Sequence, residues 1–232
     1  MAFNFFRRAM SQEIVIMSGG RVGNTAFFRK KIVAMKQPLI ICCDGGARHL
    51  AAAGIKPDVL LGDMDSIDPQ QLDQYAAHGV QVIKYPANKD FTDTALALDY
   101  AMNLHPKTIY IWGALGGRID HALANLFLLI RAKEAGIKTC LVDEYCEAFV
   151  PDREVIFENA RDCPVSLLAL SPRVEGVTLR GFLYPLSEET LLMAESRGIS
   201  NVIDNTSAVI RIRSGNLLVI RFWQKDIYPE VA

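Results

Sequence analysis

Gly62, Asp63, Met64, Asp65 and Ser66 close an apolar run with two acids two residues apart and a hydroxyl beside them. Carboxylates this close repel each other unless a cation or a proton lies between them. Acids at the carboxyl end of a parallel strand stand where open α/β sheets bind ligands. Gly62 allows close approach of a neighbour, and Mg2+ takes oxygen ligands while keeping phosphates in its shell. The simplest chemistry for the segment is a Mg2+–phosphate site.

Three further apolar runs end in the same way. Residues 39–43 stop at Asp44, Gly45 and Gly46, and residues 108–112 stop at Gly113. Gly116, Gly117, Arg118, Ile119, Asp120 and His121 follow that second stop. Residues 80–85 lead into Lys89, Asp90, Phe91, Thr92 and Asp93. In a parallel sheet these ends share one edge, so a composite site is expected. Four carboxylates (Asp44, Asp63, Asp65 and Asp93) converging there need a metal to offset their repulsion. Gly117 and Arg118 offer backbone N–H groups and a guanidinium to phosphate oxygens, ahead of a helix N-terminus. Lys89 is a further phosphate contact or a solvated lysine. Residues 18–23 (Ser-Gly-Gly-Arg-Val-Gly) resemble a nucleotide loop but complete neither GxGxxG nor a Walker A motif.

Several of these residues carry a plainer reading as well. Asp63 and Asp65 could cap the next helix, and Asp44 before two glycines could be turn chemistry. Asp93 suits a first helical turn, with Thr92 as its N-cap. His121 is a base or a structural histidine. Trp223 stacks on an aromatic ligand or plugs the domain it belongs to.

The elements that must hold these groups alternate. Strands are expected at 13–17, 39–43, 58–62, 81–84, 108–112 and 137–142. Helices are expected at 24–36, 47–53, 69–77, 93–104 and 120–135. That alternation predicts a parallel, Rossmann-like α/β sheet with helices on both faces. After about residue 147 the runs become short and turn-separated: 155–157, 165–170, 177–179, 209–212 and 217–222. They predict a small all-β sandwich. The expected domains are 1–146 for the α/β unit with its Mg2+–phosphate site and 147–232 for the β-sandwich.

The chain has 232 residues, half of them hydrophobic, and carries 25 basic and 26 acidic residues. Without a block of like charge, neither a nucleic-acid nor a membrane partner is expected. No apolar run reaches the roughly 20 residues that span a bilayer. Residues 1–10 lack the order of a signal peptide. The five cysteines have no metal-type spacing and are expected as buried thiols in a reducing cytoplasm.

The motifs together resemble the signature set of the thiamine pyrophosphokinase family. They are Asp44-Gly45-Gly46, Gly62-Asp63-Met64-Asp65-Ser66, Asp90-Phe91-Thr92-Asp93 and Gly117-Arg118-Ile119-Asp120-His121, with residues 181–186 and 197–201 as carboxyl-terminal signatures. The resemblance implies Mg2+-dependent transfer of a pyrophosphoryl group from ATP to the thiamine hydroxyl, releasing AMP. It implies Asp44, Asp63, Asp65 and Asp93 as metal ligands, with Asp65, Asp93 and Arg118 catalytic. For ATP it implies Gly45, Gly46, Ser66, Lys89, Asp90, Thr92, Gly117, Arg118, Asp120 and His121. For thiamine it implies Ser200, Asn201 and Trp223, in a homodimer whose thiamine site lies at the subunit interface. One departure is Val202, where the family often carries an acid. Another acceptor alcohol, such as a hydroxymethylpterin, or a non-catalytic nucleotide sensor are the competing readings.

Overall fold

The computed structural model describes residues 12–88 and 90–223. The chain divides between Glu144 and Tyr145 into two compact units.

In the first unit six strands form a parallel sheet: β1 (Glu13–Met17), β2 (Leu39–Cys43), β3 (Val59–Gly62), β4 (Gln81–Lys84), β5 (Thr108–Trp112) and β6 (Lys138–Val142). Their spatial order is β6-β5-β1-β2-β3-β4, and every adjacent pair is parallel. β2 and β3 are buried along their whole length, as expected of strands covered on both faces. The chain winds outward from β1 through β2, β3 and β4, then returns to place β5 on the other side of β1. This reversal opens a crevice at the carboxyl ends of β1 and β5, where such sheets bind ligands.

The helices are α1 (Thr25–Val33), α2 (Ala47–Ala53), α3 (Pro69–Ala77), α4 (Asp93–Met102) and α5 (Ile119–Glu134). The side chains of Asn24, Asp68 and Thr92 cap α1, α3 and α4 by accepting backbone N–H bonds. α2 stops at Gly54, whose φ of 64° suits a residue without a Cβ. α1 ends three residues before the expected 36, because the chain turns through Gln37 at φ 51° to enter β2. Phe28 and Trp112 meet edge to face at 5.1 Å, which ties α1 to β5.

The second unit holds two antiparallel sheets, ordered β12-β9-β14-β7 and β11-β10-β13-β8. The strands are β7 (Cys146–Phe149), β8 (Glu154–Glu158), β9 (Pro164–Ala169), β10 (Arg173–Arg180), β11 (Leu186–Leu192), β12 (Asn201–Val202), β13 (Ser207–Arg211) and β14 (Leu217–Phe222). Val165, Leu167, Leu217 and Val219 of one sheet share a buried core with Phe157, Val177, Leu179 and Ile210 of the other. The parallel α/β unit and the antiparallel second unit agree with the fold class read from sequence. β7, β11 and β12 are additions to the expected strands. β11 is an edge strand in which Leu191 alone is buried, so it lacks a hydrophobic period. β10 begins four residues before the expected 177, because Gly176 at φ 66° breaks its alternation with a bulge.

Asn201 is buried and engages both ends of its amide locally: Oδ1 accepts from Tyr184 N at 3.1 Å and Val202 N at 2.8 Å, and Nδ2 donates to Tyr184 O at 2.8 Å. Asn201→Ala leaves those backbone groups unsatisfied and is expected to cost about 2–3 kcal/mol in denaturant unfolding. A loss under about 0.5 kcal/mol would show that the segment does not depend on this amide.

Candidate active site

The floor of the crevice is backbone packed on backbone. Ser18 N donates to Trp112 O and Gly20 N donates to Gly113 O, both at 2.8 Å, so the segment after β1 stays zipped to the segment after β5. A Cβ at Gly20 would collide with the Gly113 carbonyl, and one at Gly46 would stand 2.5 Å from Met17 O. Gly113, at φ 66°, would place a Cβ 2.7 Å from Ser18 O. These glycines bring the ends of β1, β2 and β5 closer than any side chain permits.

Asp44 is buried at the end of β2 with 4% of its surface exposed. Its Oδ1 accepts from Gly45 N at 2.6 Å and its Oδ2 from Met64 N at 3.0 Å. Gly62, at φ 148°, makes room for it: a Cβ there would lie 2.8 Å from Asp44 Cγ. Asp63 Oδ1 accepts from Asp65 N at 3.3 Å, and Ser66 Oγ donates to Asp65 Oδ1 at 2.9 Å. Asp44, Asp63 and Asp65 each present an oxygen, and these atoms lie within 4.8 Å of one another. Burial above all, then the neighbouring Asp63 and Asp93, pushes the Asp44 carboxyl above the ordinary carboxylate range, against the hydrogen bond from Gly45 N. Such a trio fits an oxygen-liganded divalent cation.

Asp93 opens α4, whose cap is the Thr92 hydroxyl accepting from Ala95 N at 3.2 Å. The next residue, Thr94, shares a buried 2.6 Å hydroxyl–hydroxyl bond with Ser18, which locks α4 to the end of β1. A cleft of about 630 Å³ lies above these groups. Asp44, Asp63 and Asp93 line it, and so do Arg21, Arg48 and Arg118. Acids and guanidiniums in one concavity suit a polyanion carried with a cation.

The structure gathers most of the residues named from sequence. Gly45, Ser66, Thr92, Gly117 and His121 also line the cleft. Asp65 belongs to the carboxylate trio while its side chain is exposed. Gly46 is buried beneath the cleft. Asp90 and Asp120 are exposed and are not among the residues lining it. Asp120 instead receives two hydrogen bonds from Arg118, at 3.1 Å from Nε and 2.5 Å from Nη2, which hold its carboxyl down at about 2. Lys89 lies outside the described residues. The remaining three belong to the second unit. Ser200 sits at φ 60°, its N donating to Ser166 Oγ at 3.1 Å. Asn201 holds the segment at Tyr184, and Trp223 lies under the Arg221 guanidinium, 5.0 Å from its ring centre.

Ser18, Gly19, Gly20 and Arg21, of the incomplete nucleotide-loop motif at 18–23, line the cleft as well; sequence reasoning missed Arg48, His49, Thr94 and Asn125. Arg48 and His49 follow the Asp44–Gly46 turn after Ala47, which was the available signal. Asn125, one helical turn after His121, donates to Ala114 O at 3.0 Å and braces the loop after β5. None of the five cysteines forms a disulfide; Cys42, Cys43 and Cys146 are buried and the other two are half-buried. Among the described residues no helix is long and apolar enough to cross a membrane.

Residues 31–141 match the family model for the thiamin pyrophosphokinase catalytic domain. Residues 155–218 match the model for the thiamin pyrophosphokinase vitamin B1 binding domain. A thiamine pyrophosphokinase of Bacillus subtilis is 34% identical over 185 residues, covering 79% of this chain and 86% of the relative. Thiamine pyrophosphokinase 2 of Arabidopsis thaliana is also 34% identical, over 190 residues and 71% of each chain. The crystal structure of the Bacillus subtilis protein superposes with a TM-score of 0.79 at 31% identity, over 90% of this chain and 98% of that one. That of the Geobacillus thermodenitrificans thiamin pyrophosphokinase gives 0.77 at 28%, over 93% and 100%.

Fold and site together define a two-domain phosphoryl-group transferase, with an α/β catalytic half and an all-β half. Within that class, the chain belongs to the thiamine pyrophosphokinase family.

The raised Asp44 carboxyl sets a pH dependence. A carboxyl whose folded-state pKa lies above its unfolded value stabilises the fold most below the unfolded value, and that contribution is lost as pH rises through the folded value. Without metal, the protein is therefore expected to melt higher on mild acidification, and Asp63→Asn is expected to raise its melting temperature at neutral pH. The same substitution is expected to abolish stabilisation by Mg2+, read as the shift in melting temperature with added MgCl2. An unchanged Mg2+ shift in Asp63→Asn would remove Asp63 from the ligand set.

Proposed function

We infer that this chain transfers the pyrophosphoryl group of ATP to the hydroxyl of thiamine, giving thiamine diphosphate and AMP. The observation that carries the reading is the carboxylate trio of Asp44, Asp63 and Asp65, two of which line a cleft with three arginines. Matches to the catalytic and vitamin B1 binding models support it. The acceptor oxygen attacks the β-phosphorus, the bond from that phosphorus to the α–β bridging oxygen breaks, and AMP leaves with that oxygen. Phosphoryl chemistry of this kind depends mostly on positioning and charge neutralisation.

Asp44, Asp63 and Asp65 would hold Mg2+, with Asp93 beside them. When bound, the ion supplies charge neutralisation along the triphosphate. Arg118, Arg48 and Arg21 offset the remaining negative charge. Asp65 or Asp93 orients the acceptor hydroxyl, whose proton is lost as the new P–O bond forms. Gly45, Gly46 and Gly117 keep their segments slim enough for phosphates to approach the backbone. Ser66, Thr92 and His121 line the nucleotide side; Asp90 and Asp120 flank it. Ser200, Asn201 and Trp223 supply the acceptor side, and the chain works as a homodimer. Exposed Leu183, Tyr184 and Ile199, close in sequence or by hydrogen bond to Asn201, support a covered surface in the second unit.

Product analysis by 31P NMR with ATP, Mg2+ and thiamine tests the reading. Thiamine diphosphate and AMP are expected one for one. AMP or ADP without a thiamine product would reject the acceptor and direct attention to other alcohols. Asp93→Asn is expected to lower kcat by at least about a hundredfold while the melting temperature changes little. Parallel loss of activity and stability would reduce Asp93 to a structural acid.

A further inference from the structure

Arg48 and His49 are consecutive residues at the start of α2, and both reach the loop that follows β1. Arg48 Nη2 donates to Gly19 O at 2.5 Å, and His49 Nε2 bonds Gly20 O at 2.7 Å. The oxygen of Gly20 is an acceptor only, so His49 meets it with an Nε2–H. The loop is otherwise pinned from the far side, where Gly20 N donates to Gly113 O. Its glycines give it little intrinsic rigidity. Gly19 and Gly20 line the cleft, as does Arg48, while His49 does not.

The clamp and the acid share one piece of backbone. The Asp44–Gly46 turn runs without a break into α2. One rigid segment therefore carries the buried carboxylate and, a few residues later, the two side chains that hold the opposite wall. Asp44 stands five residues before His49, so the distance between carboxylate trio and glycine loop is fixed by a single short helix.

We propose that His49 is a positioning residue for the nucleotide: with Arg48, it sets the Gly19–Gly20 loop at the spacing from Asp44 that the polyphosphate requires. His49 acts through the Gly20 carbonyl and has no role toward the acceptor alcohol. The proposal rests on the reading of the cleft as the nucleotide site. Its consequence is a split in kinetic constants, because a loosened loop weakens nucleotide seating while leaving the acceptor contacts in place.

The test compares His49→Ala with His49→Gln, whose amide can donate to the same carbonyl. Binding of a fluorescent, non-hydrolysable ATP analogue is titrated in Mg2+, followed by KM for ATP and for thiamine. His49→Ala is expected to weaken analogue binding and raise KM for ATP by about tenfold, the loss of one well-placed hydrogen bond. KM for thiamine is expected to move by less than about twofold, and His49→Gln to recover most of the nucleotide affinity. Equal effects on both substrates, or no difference between Ala and Gln at matched melting temperatures, would overturn the proposal. If the wild-type protein fails to bind the analogue, the nucleotide reading of the cleft falls and the proposal with it. If the wild type binds the analogue and His49→Ala binds it equally well, the proposal alone falls.

Discussion

A carboxylate held almost out of water beside two others is the interaction around which the first unit is organised. Asp44 is 4% exposed, and its Oδ1 and Oδ2 accept backbone N–H bonds from Gly45 and Met64. Burial of a charge is costly unless it is paired or coordinated. Here the nearest groups include further acids, so the local balance runs against ionisation, as the raised Asp44 pKa shows. Such a cluster is relieved by a cation or by a proton, and whichever group relieves it also bears on the stability of this edge of the sheet.

Holding that cluster in place imposes steric demands on the neighbours. Gly62 has no Cβ because Asp44 occupies the space. Gly46 has none because Met17 passes beneath it, and Gly20 and Gly113 because their backbones touch. Each glycine weakens its own segment, since it loses more conformational freedom on ordering than other residues. The fold offsets that weakness by cross-bracing: Ser18 to Thr94, Asn125 to Ala114, and Arg48 and His49 to Gly19 and Gly20. The pattern is one of slim loops near the ligand and polar side chains on the rigid helices behind them.

The acids and glycines were legible because their constraint is local. A buried strand that stops at Asp-Gly-Gly or Gly-Asp-X-Asp reads the same way wherever it occurs, and the parallel alternation placed those stops on one edge. The braces were not legible, because their meaning depends on which segments lie side by side. Arg48 and His49 look like ordinary residues of a short helix until β1 is seen next to β2. Asn125 reads as a polar residue within an amphipathic helix, yet it is buried against a carbonyl of the β5 loop. In the second unit, β11 escaped notice because an edge strand with charged side chains has no period to detect, and only residues 177–179 of β10 were legible because a glycine bulge breaks its alternation. Asp120 illustrates the converse. The motif brought it to attention, but its carboxylate is engaged by Arg118, two residues away.

The Arg118–Asp120 pair also bears on how the cleft treats an anion. Both side chains are largely exposed, so the pair is screened and contributes little to stability. Its effect lies in holding a flexible guanidinium near the start of α5 before any phosphate arrives. A polyphosphate, with more charge and several oxygens, competes well for that guanidinium against a single solvated carboxylate. Arg48 is constrained differently, since it is tied to a backbone carbonyl that carries no net charge. Of the cleft's three guanidiniums, those of Arg118 and Arg21 must thus be won by an incoming anion from an acid, Asp120 and Glu144 respectively, while that of Arg48 is already fixed to the wall.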